Sequence, residues 1–144
     1  MSQNNTETTA ITQAITKGTH HIGLTVPDVK QTRDFFISAL GFKQVGEKPD
    51  YPAIFVSDGN LILTLWQAAV PCEANTFDRK NNIGLHHLVL QIKNSTTLEQ
   101  LHERLVKTDD VEIEFSPELR GGGPTKHMMC NIPGGIRIEF IAAY

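Results

Sequence analysis

The sequence contains few of the residues that would mark it as secreted, membrane-bound or nucleic-acid-binding. It has two cysteines, Cys72 and Cys130, and its apolar runs are no longer than a strand. Two thiols without an extracellular context favour free cysteines over a disulfide, and a membrane span needs about 20 apolar residues in a row. The net charge is −3, without the basic excess of a nucleic-acid-binding surface. We expect a cytoplasmic protein with no membrane or nucleic-acid partner.

The N-terminal residues 1–17 differ in composition from the rest of the chain. They are rich in Gln, Asn and Thr and lack the basic start and apolar stretch of an export signal. The whole chain is 40% apolar and 20% charged, which is typical of a globular protein. We therefore expect a mobile tail over 1–17, followed by a single domain over 18–143.

An internal repeat organises this domain. Residues 20–26 (HHIGLTV) are echoed by residues 86–92 (HHLVLQI), and both segments alternate in polarity as strands do. A helical pattern follows each copy. Asp28 is a cap candidate and Gly41 a stop for the first helix, whereas Thr96 and Glu99 suggest a capping box for the second.

Each half has room for three further strands after its helix. These are predicted over 42–47, 53–57 and 61–66 in the first half, and over 111–115, 125–132 and 136–141 in the second. The predicted fold is α+β, with two tandem βαβββ modules over 18–67 and 84–143 and a linker over 68–83. A module of about 50 residues is marginal alone, so the two should pack as one domain.

Strand alternation distinguishes among the histidines. The apolar residues of each first strand form the face that its helix covers, which places His21 and His87 on the opposite, inner face. Thr64 and Glu139 each lie five residues after a turn glycine, so they occupy the same place in the two modules. A two-fold-like arrangement of the modules would bring these four residues together.

Three of the four positions are good metal ligands. Burial of two histidines and a glutamate is costly unless they are paired or bound to a metal. Two imidazoles and one carboxylate suit Zn, Ni, Fe, Mn or Co and leave coordination positions open. We expect one divalent metal ion held by His21, His87 and Glu139, although each residue taken singly also fits a solvated or hydrogen-bonded role.

At these residues the sequence resembles the vicinal oxygen chelate superfamily, which includes glyoxalase I, methylmalonyl-CoA epimerase, fosfomycin-resistance transferases, extradiol dioxygenases and bleomycin-resistance proteins. The resemblance covers about residues 18–143 and rests mainly on 21–28 (HIGLTVPD), 84–87 (GLHH) and 133–139 (PGGIRIE). It implies an open eight-stranded, U-shaped barrel around a metal cleft, often in a homodimer. It also implies a small substrate with vicinal oxygens, on which the metal neutralises growing negative charge.

The resemblance implies a glyoxalase-like, metal-dependent lyase or isomerase. An extradiol-type ring-cleaving dioxygenase and a metal-free binding protein of the bleomycin-resistance kind stay open as alternatives. Glyoxalase I and the epimerases usually carry Glu or Gln where this chain has Thr64. Extradiol enzymes usually carry Tyr where it has Met129.

Further residues are candidates around the centre. Glu139 and His127 are the acid–base candidates, His127 because its ordinary pKa lies near neutrality. Arg120 and Lys126 flank a glycine-rich loop that could clamp an anionic substrate. Arg137 either binds a carboxylate or pairs with an acidic residue across the sheet. The predicted substrate-binding set is completed by two inner-face residues, Thr64 and Trp66.

Overall fold

The computed structural model describes residues 10–143 and contains two consecutive βαβββ modules. Module one comprises β1 (His21–Val26), α1 (Val29–Leu40), β2 (Lys43–Lys48), β3 (Ala53–Ser57) and β4 (Ile62–Gln67). Module two comprises β5 (Leu88–Ile92), α2 (Ser95–Val106), β6 (Glu112–Leu119), β7 (Lys126–Asn131) and β8 (Arg137–Ala142). The predicted α+β fold of two tandem modules is confirmed. Of the tail predicted over 1–17, residues 1–9 lie outside the described residues, and 10–17 contain no helix or strand.

Each module forms its own four-stranded sheet. The strand orders are β1-β4-β3-β2 and β5-β8-β7-β6, with the first and last strands of each module parallel and the other pairs antiparallel. Gly23 pairs with Thr64 and Val89 pairs with Glu139. Thr64 and Glu139 are therefore equivalent in register, as the turn glycines predict. Within residues 10–143, β1 and β5 are edge strands, and neither pairs with the other sheet.

The helices begin and end at residues with the expected local chemistry, with one exception. The Asp28 carboxylate accepts hydrogen bonds from the N–H groups of Lys30 and Gln31, and Gly41 ends α1 with a φ of 74°. The predicted capping box of Thr96 and Glu99 is wrong. Asn94 caps α2 instead, because its extended backbone lets its side-chain oxygen accept from the N–H of Thr97.

The two modules join through their helix-covered sides. One continuous apolar core includes fully buried residues of both modules, among them Phe36, Leu65, Leu98 and Phe140. Between the modules, Arg104 of α2 donates to the carbonyl of Ala39 at the end of α1 (3.0 Å). The opposite, inner faces of the sheets stay partly open to solvent. Within the described residues, no helix is long and apolar enough to cross a membrane.

Candidate metal centre

Glu139 is the centre of a charged cluster on the inner face of module two. Its side chain is only 7% exposed, although β8 lies next to the open edge of the sheet. One carboxylate oxygen, Oε2, lies 3.1 Å from Nε2 of His87, and the other, Oε1, lies 2.7 Å from Nδ1 of His127. A carboxylate withdrawn from water needs such partners, since desolvation disfavours its charged form.

The pair formed by His87 and Glu139 fits two ligands of one divalent ion. Bonds of about 2.0–2.2 Å from a metal to nitrogen and oxygen place neighbouring ligand atoms about 3 Å apart. The separation of 3.1 Å between His87 Nε2 and Glu139 Oε2 has this value. The donor set, one imidazole nitrogen and one carboxylate oxygen, suits the first-row metals expected from the sequence.

His21 does not lie beside this pair within one chain. It begins β1 in the other sheet, where its Nδ1 lies 2.9 Å from Nδ1 of His20. In the part of the chain that the structure describes, no three His, Cys, Asp or Glu side chains are placed to hold one metal ion. The structure therefore brings two of the three predicted ligands together and leaves the third on module one.

His127 is held between two carboxylates. Besides the contact of its Nδ1 with Glu139, its Nε2 lies 3.7 Å from Oε1 of Glu118, and its ring packs against Phe115 at 4.9 Å between centroids. The predicted acid–base candidate therefore touches the predicted ligand. Glu118, which was not predicted from the sequence, lies on the neighbouring strand β6 in register with His127.

Arg137 pairs with an acidic residue, the second of the two roles considered for it. Its Nε and Nη2 donate to the two carboxylate oxygens of Glu114, at 3.1 and 2.6 Å, and Arg79 of the linker contacts the same carboxylate. The hydrogen bond from Arg137 is the main cause that lowers the pKa of Glu114 below its ordinary value. The remaining guanidinium nitrogen, Nη1, lies 3.5 Å from Nδ1 of His86.

His86 joins this ion pair to the ligand pair. Its Nδ1 lies 2.7 Å from Nδ1 of His87, and the two rings meet edge to face. The pKa of His86 is lowered by desolvation first and then by the positive charges of His87 and Arg137. His86 lies two residues before β5, which begins at Leu88, so strand alternation does not predict where its side chain lies.

The position in module one that corresponds to Glu139 is occupied by uncharged groups. Thr64 is buried, and its hydroxyl accepts a hydrogen bond from the indole N–H of Trp66 at 2.8 Å. Gly23 lies opposite, where an added Cβ would be 3.2 Å from the Thr64 hydroxyl oxygen. The absence of a side chain at Gly23 thus leaves space for the hydrogen-bonded pair of Thr64 and Trp66.

Aromatic side chains extend the inner face of module one beyond Thr64. The Trp66 ring lies 4.7 Å from that of Tyr51 and 6.1 Å from that of Phe55, and the Lys48 ammonium is 5.9 Å from its centre. We call Tyr51, Phe55 and Trp66 the aromatic wall. Of these three residues, only Trp66 was predicted from the sequence. Alternation along β3 could also have identified Phe55, which pairs with Thr64.

The two cationic residues beside the glycine-rich loop lie on different sides of module two. Arg120 is exposed, with its Nε 4.0 Å from Oε1 of Glu139. Lys126 instead lies 3.6 Å from Glu99 of α2, on the helix-covered side of the sheet. The structure therefore brings Arg120, but not Lys126, to the centre.

Other candidate features lie away from Glu139. A crevice of about 460 Å³ between the linker and the ends of β1 and β8 is lined by apolar, Thr and Asn side chains and offers no ionisable group. Both cysteines are free, as expected, and burial raises the pKa of the Cys130 thiol to about 12. Neither feature contributes a reactive group to the centre.

The sequence of the two modules matches a known family. The chain belongs to the Glyoxalase/Bleomycin resistance protein/Dioxygenase superfamily, which its residues 18–140 match. A curated relative, the uncharacterized protein YwkD of Bacillus subtilis (strain 168), is 24% identical over 104 residues, covering 68% of this chain and 80% of the relative.

Solved structures share the fold at low sequence identity. A glyoxylase/bleomycin resistance protein/dioxygenase domain from Frankia sp. EAN1pec has a TM-score of 0.74 at 19% identity, covering 90% of this chain and 93% of that one. A mutant of the fosfomycin resistance protein FosX from Listeria monocytogenes, complexed with Mn(II) and a dihydroxypropylphosphonic acid, has a TM-score of 0.72 at 19% identity, covering 90% and 95%. Lactoylglutathione lyase from Agrobacterium tumefaciens has a TM-score of 0.66 at 17% identity, covering 90% and 96%.

Proposed function

We propose that this protein is a metal-dependent lyase or isomerase that acts on a small substrate with vicinal oxygens, and that two copies of the chain complete each centre. His87 and Glu139 of one copy and His21 of the other would hold one divalent ion. The observation that carries the proposal is the buried Glu139 carboxylate, whose Oε2 lies at ligand spacing from His87 Nε2.

The edge strands support a site shared between copies. His21 begins β1, and His87 directly precedes β5, and both strands are open edges within residues 10–143. An unpaired edge tends to pair with another strand. If β1 of one copy lay beside β5 of a second, two four-stranded sheets would form one eight-stranded cup. By two-fold symmetry each dimer would contain two such cups.

The Mn(II) complex of the FosX neighbour supports a divalent cation in this fold. When bound, the ion would act as a Lewis acid that stabilises negative charge growing on a substrate oxygen. Thr64, at the fourth equivalent position, contributes a hydroxyl that is already hydrogen-bonded to Trp66. This leaves room for substrate oxygens beside the three ligands.

The residues around the centre have separate roles in this proposal. His127 and Glu139 exchange or hold a proton, since His127 Nδ1 and Glu139 Oε1 are 2.7 Å apart. Arg120 attracts the anionic part of a substrate towards Glu139. Thr64 and Trp66 face the substrate from module one. The two free thiols, Cys72 and Cys130, support a cytoplasmic location.

A complementation experiment tests the shared site. His21→Ala and His87→Ala dimers should each lose tight Mn(II) binding, because each lacks one ligand in both centres. After the two variants are unfolded and refolded together, half of the dimers are mixed, and each mixed dimer contains one intact centre. About a quarter of the wild-type Mn(II) sites should return. A mixture without recovery, although mixed dimers form, would contradict the shared site.

A second experiment tests the reaction class. The protein loaded with Mn(II), Ni(II), Zn(II) or Fe(II) is offered hemithioacetals of 2-oxoaldehydes and, separately, catechols, while product and dissolved oxygen are followed. Turnover of a vicinal-oxygen substrate without oxygen consumption is the expected result. Oxygen consumption with a catechol would instead establish the dioxygenase. Purified protein that neither contains nor takes up a divalent metal would establish a metal-free binding protein.

A further inference from the structure

The His86–His87 doublet is linked to a buried arginine by a chain of hydrogen bonds on the inner face of module two. Glu114 accepts two hydrogen bonds from Arg137, at 3.1 and 2.6 Å, so the guanidinium is fixed in orientation. Its free nitrogen Nη1 lies 3.5 Å from His86 Nδ1, which in turn lies 2.7 Å from His87 Nδ1. The opposite ring nitrogen of His87, Nε2, faces Glu139 at 3.1 Å.

The hydrogen-bond donors and acceptors on these side chains determine the direction of the hydrogen bonds between them. Arginine has only N–H donors and no acceptor, and it keeps its charge in proteins. A guanidinium nitrogen 3.5 Å from His86 Nδ1 therefore favours a lone pair on that atom. When a metal takes the lone pair of His87 Nε2, the proton of the neutral His87 ring lies on its Nδ1, and His86 Nδ1, 2.7 Å away, is placed to accept it.

We propose that His86 is a positioning residue that accepts the Nδ1–H of His87, so that His87 keeps its Nε2 directed at Glu139 and available to a metal. The inference rests on the proposed function, because the proton is assigned to Nδ1 when Nε2 binds a metal, whereas in the metal-free protein Nε2 faces the Glu139 carboxylate, an acceptor. Partners of this kind around a ligating histidine fix its tautomer and ring orientation.

Module one contains a built-in contrast. His20 and His21 form the same doublet, with their Nδ1 atoms 2.9 Å apart. Among the described residues, no arginine forms a hydrogen bond with either ring, so no guanidinium donor faces the lone pair of His20. The orientation of His87 is therefore determined by the fold, whereas that of His21 is left to its two ring nitrogens and to whatever it binds.

Nuclear magnetic resonance of the metal-free and Zn(II)-loaded protein tests the proton assignment. Long-range ¹H–¹⁵N correlation at about pH 8, where an unperturbed imidazole is neutral, reports which ring nitrogens carry hydrogen. In the Zn(II)-loaded protein, His87 Nδ1 should be protonated and His86 Nδ1 should be unprotonated, and the metal-free protein provides the reference spectrum. A protonated His86 Nδ1 or an unprotonated His87 Nδ1 in the Zn(II)-loaded protein would overturn the inference.

Variants at His86 test the consequence for binding. His86→Leu removes the acceptor and should weaken Zn(II) and Mn(II) affinity by about 10-fold, the low end for such partners because water can reach this exposed site. His86→Asn offers a carbonyl acceptor at a similar place and should recover most of the loss. His20→Leu, the matched change in module one, should cost less than His86→Leu.

The outcomes of the two proposals can be separated. Unchanged affinity in His86→Leu, or an equal loss in His20→Leu, contradicts the positioning role while the metal centre stands. Wild-type protein that binds no divalent metal contradicts the proposed function and, with it, the positioning role. Thermal unfolding of each variant shows whether a loss of affinity reflects a loss of folding.

Discussion

Modules one and two share a backbone plan but differ in the chemistry of their inner faces. The register is the same, since Gly23 pairs with Thr64 as Val89 pairs with Glu139. The corner of module one carries a hydroxyl and an indole, whereas that of module two carries a buried carboxylate between two imidazoles. A repeated fold therefore supplies equivalent places, and the side chains at those places assign each half its chemistry.

The difference extends to the neighbours of each corner. The aromatic wall of module one offers an apolar surface, and the indole N–H of its Trp66 donates to Thr64. In module two, His127 contacts Glu139, and the ion pair of Arg137 and Glu114 is linked to His87 through His86. The half that is richer in charged partners is also the half that contains the pair at ligand spacing. Changing equivalent positions in the two modules is accordingly the most direct test.

The largest effect is expected from Glu139→Gln compared with Thr64→Ala. The first change removes a charged ligand and should lower Mn(II) affinity by about 100-fold or more, beyond the usual loss for a residue outside the ligand set. The second removes an uncharged hydroxyl and should change Mn(II) affinity little. Isothermal titration of both variants measures the difference. Equal Mn(II) affinities of the two variants would show that the carboxylate of Glu139 does not govern binding.

The next largest effect is expected from placing a glutamate at the equivalent position of both modules. Thr64→Glu buries a second carboxylate and displaces the hydroxyl that accepts the Trp66 N–H, so the metal-free protein should lose about 2 kcal/mol of stability. Mn(II) should restore more stability to this variant than it adds to the wild type, because the new carboxylate gains a cation. Thermal unfolding with and without Mn(II) measures both values. Equal metal-induced stabilisation of variant and wild type would contradict the expectation.

A smaller, pH-dependent effect is expected at Glu114. Hydrogen bonding by Arg137 holds the pKa of Glu114 below its ordinary value of 4.5. Because the folded-state pKa is the lower one, this carboxylate stabilises the fold above pH 4.5, and the contribution is lost as pH falls through the folded-state pKa. Glu114→Gln should therefore cost about 1 kcal/mol at neutral pH and progressively less in acid.

Urea unfolding of wild type and Glu114→Gln between neutral pH and pH 3 measures this dependence. Glu47→Gln, on the exposed strand β2 of module one, is the matched control and should leave the free energy of unfolding nearly unchanged. A Glu114→Gln deficit that stays constant with pH would show that lost packing, and not the charged hydrogen bonds, causes it.

The smallest effect is expected at Gly23. Gly23→Ala places a Cβ 3.2 Å from the Thr64 hydroxyl oxygen and 3.4 Å from the Trp66 indole nitrogen. The pair must shift by a few tenths of an ångström, at a cost of about 0.5 kcal/mol, and the fluorescence of Trp66, the only tryptophan, should change. Val89→Ala, at the repeat position of module two, should leave that fluorescence unchanged.

Sequence patterns predicted the elements of the fold well because those patterns act locally. Alternation identified the strands, and Asp28 and Gly41 identified the ends of α1, since caps and turns depend on neighbouring residues. The cap of α2 was assigned to Thr96 instead of Asn94. The local pattern alone ranked two candidates wrongly, and the hydrogen bond from Thr97 decided between them.

The candidate centre was predictable in part. Strand alternation and the spacing from the turn glycines predicted His87 and Glu139 as ligands. The structure places His87 Nε2 3.1 Å from Glu139 Oε2. Strand alternation did not identify Glu114 or Glu118. Glu114 contacts Arg137 and Glu118 contacts His127 from another strand, and the pairing of these strands cannot be read from the sequence. Lys126 was predicted to bind substrate because it flanks the glycine-rich loop, whereas the structure pairs that residue with Glu99.

By itself, the sequence determined the tandem βαβββ repeat, the inner-face positions of His21, Thr64, His87 and Glu139, and the excess of ligand-type residues in module two. These follow from the two-residue period of a strand. Only the tertiary structure decided that His87 and Glu139 meet while His21 lies on the other sheet, and that Arg137 is engaged by Glu114. The physical reason is that the modules pack through their helix-covered sides, an arrangement set by long-range contacts in the core that no local pattern specifies.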